Sequence, residues 1–384
     1  MTHQPQKSLI ELGMFTGIPQ HENFSRLKEM LPTVKMTAAK EPFVFPRGRE
    51  ARLPETYEFE GTTRSSEEFF TETDTAALLV LKDGVVRLER YALTGGPATQ
   101  WISMSVAKSF VSALVGIAVA EGHIRGIEDA ISDYIDVESG SAYDGVRIKD
   151  VLQMSSGARW NEDYTDSTSD IHRLAAAMTG TMTLDQFVAG MVRENEPGTV
   201  CRYNSGDTQA LGALLVHATG RSIADYMQEK LYEPLGMEDA GYWLVDGVGM
   251  ELAYAGLNLT ARDYAKFGEL YRNGGAWRGR RLVPESWVKA SVRSDAAHLA
   301  PGRTVLADHT LPLGYGYQWW LPDGDVGEFS AIGVYNQFVY VDPSHGVVIV
   351  KQSANRNWGT TMDEATNREI ETVAFLRAIA RRID

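Results

Sequence analysis

The feature that most constrains the fold is an apolar stretch at residues 110–120, eleven positions without a charged side chain. That length falls well short of the ~20 residues a membrane span requires, so the stretch reads as a helix buried inside a globular protein. A helix buried on all sides needs a large body around it. A chain of 384 residues, 43% hydrophobic and 23% charged, supplies one with material for more than one lobe. Over residues 1–30, Lys7, Glu11, His21, Glu22, Arg26 and Lys28 interrupt every apolar group, leaving no signal-type core and favouring the cytoplasm. The net charge of −14, from 51 acidic against 37 basic residues, repels nucleic acid and anionic membrane surfaces and excludes both as expected partners. Cys201 stands alone, so no intrachain disulfide can form and packing is its expected role.

Around the buried helix the patterning alternates between sheet and helix. Residues 1–74 have weak periodicity, several prolines and a charged patch at 47–52, which predicts an arm wrapped on the body. An apolar run at 75–81, the turn Lys82-Asp83-Gly84, and Val86 and Leu88 alternating with Arg87 and Glu89 predict a β-hairpin. Helical patterns then dominate to about residue 237. Thr260-Ala261-Arg262-Asp263 is a capping box opening an amphipathic helix that Asn273-Gly274-Gly275 ends. Residues 338–341 and 347–350, joined across 342–346, predict a second hairpin, and 364–383 a closing helix. Strands at both ends with helices between them predict an α+β fold in which 75–125 and 250–384 form one domain and 126–249 an inserted, mostly helical one.

Ser105-Val106-Ala107-Lys108 is an S-x-x-K tetrad at the start of the buried helix. The same spacing occurs at Ser25 and Lys28 and at Ser286 and Lys289, so context must separate chemistry from chance. Only Ser105 stands where a strand pair hands over to a buried helix, with the i, i+3 spacing that puts both side chains on one face. Burial and the helix N-terminus would both disfavour the charged lysine and make it a base able to activate Ser105. A second loop, Arg202-Tyr203-Asn204-Ser205-Gly206-Asp207, has Tyr203 and Ser205 two residues apart, placed to reach one pocket and relay a proton. Near the C-terminal hairpin, a backbone N–H beside Gly333, at Val334, can join that of Ser105 as an oxyanion hole. Tyr164, Asp166 and Asp170 follow Trp160-Asn161-Glu162-Asp163 on an acidic loop that could select an amine by charge, and residues 315–320, with Trp319, could wall an acyl pocket.

These elements, in this order, resemble the penicillin-recognising serine hydrolases, the family of serine β-lactamases, D,D-peptidases and related esterases, over roughly residues 75–380. Within it the 6-aminohexanoate-dimer hydrolase and carboxylesterase branch is most similar, through Ser103-Met104-Ser105-Val106-Ala107-Lys108-Ser109-Phe110, Leu152-Gln153-Met154-Ser155-Ser156-Gly157, Gly256-Leu257-Asn258-Leu259-Thr260-Ala261-Arg262-Asp263 and Tyr315-Gly316-Tyr317-Gln318-Trp319-Trp320. The resemblance implies a five-stranded antiparallel sheet flanked by helices, an inserted all-helical domain, and a site between the two. It implies catalysis by Ser105, Lys108 and Tyr203 with Ser205 in support, without metal or cofactor, on a small-molecule ester or amide. Tyr335 and Asn336 then join the substrate-binding candidates, Asn336 standing where the branch usually has glycine before Gln337. The chain departs from the wider family at Ala331-Ile332-Gly333, which lacks the cationic and hydroxyl side chains that hold a β-lactam carboxylate. A β-lactamase or D,D-peptidase is the alternative, and a catalytically silent ligand-binding relative the third. Oligomeric state stays open, a homodimer being one arrangement allowed.

Overall fold

The structure is a computed structural model that describes residues 12–13, 19–179, 182–324 and 326–383. Lys7 and Glu11 of the N-terminal reading lie outside the described residues. The central element is an antiparallel sheet of β1 (Thr75–Lys82), β2 (Val85–Tyr91), β3 (Leu313–Tyr315), β4 (Trp320–Pro322), β5 (Phe329–Gly333), β6 (Gln337–Asp342) and β7 (Val347–Ser353). Its spatial order is β3-β4-β5-β6-β7-β1-β2. The expected β-lactamase-like α+β fold is present, but with seven strands rather than five. The added pair arises because residues 315–320 do not run straight. Gln318 adopts φ 62°, the Gly316 amide donates to the Trp319 carbonyl at 2.9 Å, and the aromatic run folds into a tight hairpin.

Strand β1 reads as a continuous apolar run because both sheet faces are covered. Ala77, Leu79 and Leu81 belong to one core, which also contains Phe110 and Phe267, stacked with ring centroids 3.7 Å apart. Leu78 and Val80 belong to the other, with Phe69, Phe70, Phe375 and Leu376. The first face packs directly on α3 (Ala261–Arg272), behind which lie α1 (Ala107–Ala120), through the Phe110–Phe267 stack, and α2 (Ser205–Thr219), against α1; the second packs on α4 (Glu369–Ala380) and the short helix Ser66–Glu72. The capping box at α3 is half made: Thr260 Oγ1 accepts from the Asp263 amide, while the Asp263 carboxylate takes the amides of Glu238 and Asp239 and the Lys266 ammonium. The expected closing helix breaks at Arg368, in the left-handed region at φ 54°, so that Glu364–Asn367 and α4 are separate.

A second, four-stranded antiparallel sheet escaped the periodicity argument. It orders Thr33–Met36, Gly241–Leu244, Leu257–Leu259 and Trp101–Ile102, so part of the N-terminal segment is a paired edge strand. Two to four residues per strand are too few for a period-2 signal. This small sheet positions the site, because Trp101–Ile102 leads directly into Ser105. Among the described residues, no helix is long and apolar enough to cross a membrane.

Candidate active site

The chain turns sharply on its way from the small sheet to α1. The Ser103 amide donates to the Leu257 carbonyl at 2.7 Å, and the Ser103 hydroxyl bonds the Ala255 carbonyl at 3.1 Å. Met104 then takes φ 46°, a left-handed conformation that costs a non-glycine residue about 1–2 kcal/mol, and a 3₁₀ turn, Met104–Val106, carries Ser105 into α1. Ser105 is 7% exposed and Lys108, one turn on, 1%.

Lys108 Nζ lies 3.0 Å from each of three oxygens: Ser105 Oγ, Ser205 Oγ and the Tyr254 carbonyl. As an ammonium it donates to all three. As a neutral amine it keeps two N–H groups, and the surroundings dictate their use. Tyr254 offers only a carbonyl, and Ser205 spends its own proton on Glu162 Oε1 at 2.6 Å, so both must accept. The lone pair is then left facing the Ser105 hydroxyl. Burial lowers the Lys108 pKa to about 7, against an opposing pull from the Glu162 charge, so both forms are populated near neutrality. The other two S-x-x-K matches form no such pair. Ser25 bonds the His21 and Glu22 carbonyls and Lys28 the Gln100 amide oxygen, whereas Lys289 is exposed and paired with Glu285.

Tyr203 is buried and stacks on Trp320, with ring centroids 5.0 Å apart. Burial first, and the Glu162 charge second, push its hydroxyl well above the usual phenol range; a hydrogen bond with Ser105 only partly offsets them. It is therefore a phenol at neutral pH and can give a proton but not hold one as base. Asn204 fixes the loop by capping α2, its side chain accepting from the amides of Gly206 and Asp207. Behind the loop Asp207 takes hydrogen bonds from Tyr143, Ser156 and Asn204, and burial raises its pKa to about 7.

Glu162 is the residue that sequence reasoning missed. Fully buried, it accepts from the Ser205 amide at 3.1 Å and hydroxyl at 2.6 Å, from Tyr164 Oη at 2.7 Å, and from Trp160 Nε1. The available signal was the alternation Trp160, Glu162, Tyr164, which puts two aromatic donors on the same side of an extended segment as one carboxylate.

Gly333 brings β5 against the nucleophile: a Cβ there would lie 2.6 Å from the Ser103 carbonyl oxygen and 2.9 Å from the Ser105 amide nitrogen. Ser105 opens on two narrow cavities, each of about 30 Å³ and both bordered by Tyr164 and Val334. Several expected binding residues lie elsewhere. Asp166 caps its own turn through Thr168, and Asp170 bonds the Asn161 amide and Arg173, so neither lines these cavities. Trp319 packs in the core against Phe267 and Tyr271, while Trp320 reaches the cavity. Tyr335 and Asn336 form the β5–β6 turn at φ 64° and 65°; Tyr335 packs on Phe24 and Trp358, and Asn336 bonds the Asn367 carbonyl and Asn355.

The family model for beta-lactamase matches residues 67–374. The chain is 29% identical over 357 residues to the 6-aminohexanoate-dimer hydrolase of Paenarthrobacter ureafaciens, covering 87% of this chain and 86% of that one. Among solved structures, a Bacillus anthracis protein provisionally assigned as a 6-aminohexanoate-dimer hydrolase superposes with a TM-score of 0.82 at 23% identity, covering 96% of this chain and 97% of the other. A family VIII carboxylesterase superposes with a TM-score of 0.63 at 14% identity, over 83% and 95% of the two chains.

Proposed function

The chain belongs to the beta-lactamase family and is a hydrolase of that type, and on this premise we propose that it cleaves carboxylic esters or linear amides through an acyl-enzyme on Ser105. The observation that carries the reading is the Lys108 amine, 3.0 Å from Ser105 Oγ with its pKa lowered to about 7 and its other contacts all acceptors. In the proposed cycle Lys108 takes the Ser105 proton while Oγ bonds the substrate carbonyl carbon. The amides of Ser105 and Val334, beside Gly333, stabilise the resulting oxyanion. The C–O or C–N bond then breaks, and the Tyr203 hydroxyl gives its proton to the leaving atom and recovers one from the Lys108 ammonium. Water then attacks the acyl carbon, losing a proton to Lys108, which returns one to Ser105 Oγ as the ester bond breaks and the acid is freed. Ser205 and Glu162 hold the Lys108 amine on Ser105. We place this cleft between the sheet-bearing domain, 75–125 and 250–384, and the inserted 126–249 domain. The cytoplasm remains the proposed compartment.

Esterase and linear-amidase activity is favoured over β-lactam hydrolysis because Ala331 and Ile332, buried on β5, offer no charge to a β-lactam carboxylate. Initial rates on a p-nitrophenyl ester, the linear 6-aminohexanoate dimer and a chromogenic cephalosporin, for wild type and Ser105→Ala, test this. Ester or amide turnover that falls by about 10³-fold or more in Ser105→Ala is expected. Dominant cephalosporin turnover would overturn the substrate assignment, and rates independent of Ser105 would overturn the mechanism.

A further inference from the structure

The two cavities at Ser105 differ in chemistry. Leu27, Ile102, Ile171, Leu244, Leu252 and Val334 line the first, and among the described residues no charged side chain borders it. The second is walled by Tyr203, Trp320, Trp358, Leu306 and Met362, and Glu369 is its single charged lining residue among the described residues. If the hydrolase reading above holds, proton delivery assigns their roles. The donor to the leaving atom must lie within hydrogen-bond reach of it, and of the two cavities Tyr203 borders the second alone. The leaving group therefore departs past Glu369, and the acyl chain occupies the apolar side.

Glu369 is the first residue of α4, half-buried, and accepts one long hydrogen bond, 3.3 Å, from Trp358 Nε1. No lysine or arginine forms an ion pair with it among the described residues. Burial, reinforced by the charge of Glu364, raises its pKa to about 7. A desolvated carboxylate without a cation is costly, and a substrate that brings the cation relieves the cost. The rings of Trp320 and Trp358 border the same cavity. Beyond Glu369 a further cavity of about 300 Å³ shares Leu306, Leu311, Met362, Asn367 and Glu369 with the second one, giving a charged leaving group room to exit.

We infer that Glu369 is a specificity-determining residue that binds an ammonium on the leaving group, so that preferred substrates join an apolar acyl chain to an alcohol or amine with a second, cationic end. A leaving group ending in a carboxylate, as in the linear 6-aminohexanoate dimer, is repelled.

The test uses three hexanoate esters, of 6-aminohexan-1-ol, of heptan-1-ol and of 6-hydroxyhexanoic acid, at low ionic strength. For the wild type, kcat/KM should fall in that order, with about 10-fold or more between the first two, carried by KM. In Glu369→Gln the ratio between the ammonium and neutral esters should collapse toward one whatever the absolute rate, and in Glu369→Asp it should be largely retained. A wild-type ratio of one, or an undiminished ratio in Glu369→Gln, overturns the inference while leaving the hydrolase reading intact. Absence of Ser105-dependent turnover even of the heptyl ester would instead overturn the hydrolase reading and the inference with it.

Discussion

At the scale of single residues, the proposed chemistry rests on how three oxygens share the protons of one amine. In that proposal only neutral Lys108 accepts the Ser105 proton, so activity should belong to the deprotonated form. With the Lys108 pKa lowered to about 7 by burial, kcat/KM should fall about tenfold per pH unit below that value and level off above it. Tyr203, pushed well above the phenol range, adds no alkaline loss near neutrality. In the same proposal Glu162 acts through Lys108 and Ser205 as a positioning residue, and its charge holds the Lys108 pKa up. Glu162→Gln should therefore lower kcat and also move the acid limb to lower pH. If kcat falls and the limb stays in place, Glu162 only packs. The meeting of Ser105, Lys108, Tyr203 and Ser205 was legible in the sequence because the proposed chemistry calls for those residue types at short spacing. Glu162 was not, since its role depends on a loop meeting the start of α2 from more than forty residues away. Trp319 and Trp320 exchanged places for a related reason: one hairpin turn at Gln318 decides which neighbour faces the cavity.

At the scale of elements, α1 is held where its small residues admit neighbours. A Cβ on Gly116 would meet the Trp287 ring at 2.5 Å. Gly116→Ala gains about 1 kcal/mol of helix propensity but should lose about 1–3 kcal/mol to overpacking. A lower urea midpoint with unchanged m is expected, and a raised midpoint would show that Trp287 moves aside freely. Both hairpins were readable in the sequence, since 75–81 with 86–88 and 338–341 with 347–350 keep strand patterning across recognisable turns. The small sheet was not, because its partners, at 33, 101, 241 and 257, meet only through tertiary contacts. Arg368 likewise looks like any helical residue until the contacts of Asn367 with Asn336 and Gly359 pin the chain into a turn.

At the scale of the whole molecule, the early segment is part of the frame that holds Ser105. Thr33–Met36 is an edge strand of the sheet that delivers Ser105, and Leu27 lines the apolar cavity. Removing residues 1–37 should lower Tm, by about 2–4 °C per kcal/mol lost, and raise KM for a hexanoyl ester; scanning calorimetry and initial rates check both. An unchanged Tm would mean that the edge strand contributes little. The most direct test of the acyl-enzyme is intact-protein mass spectrometry of wild type and Ser105→Ala, acid-quenched within the first turnovers of p-nitrophenyl hexanoate. A single hexanoyl adduct that maps to the peptide bearing Ser105, and is absent from the variant, is the predicted result; equal turnover by the variant, or an adduct on another residue, would contradict it.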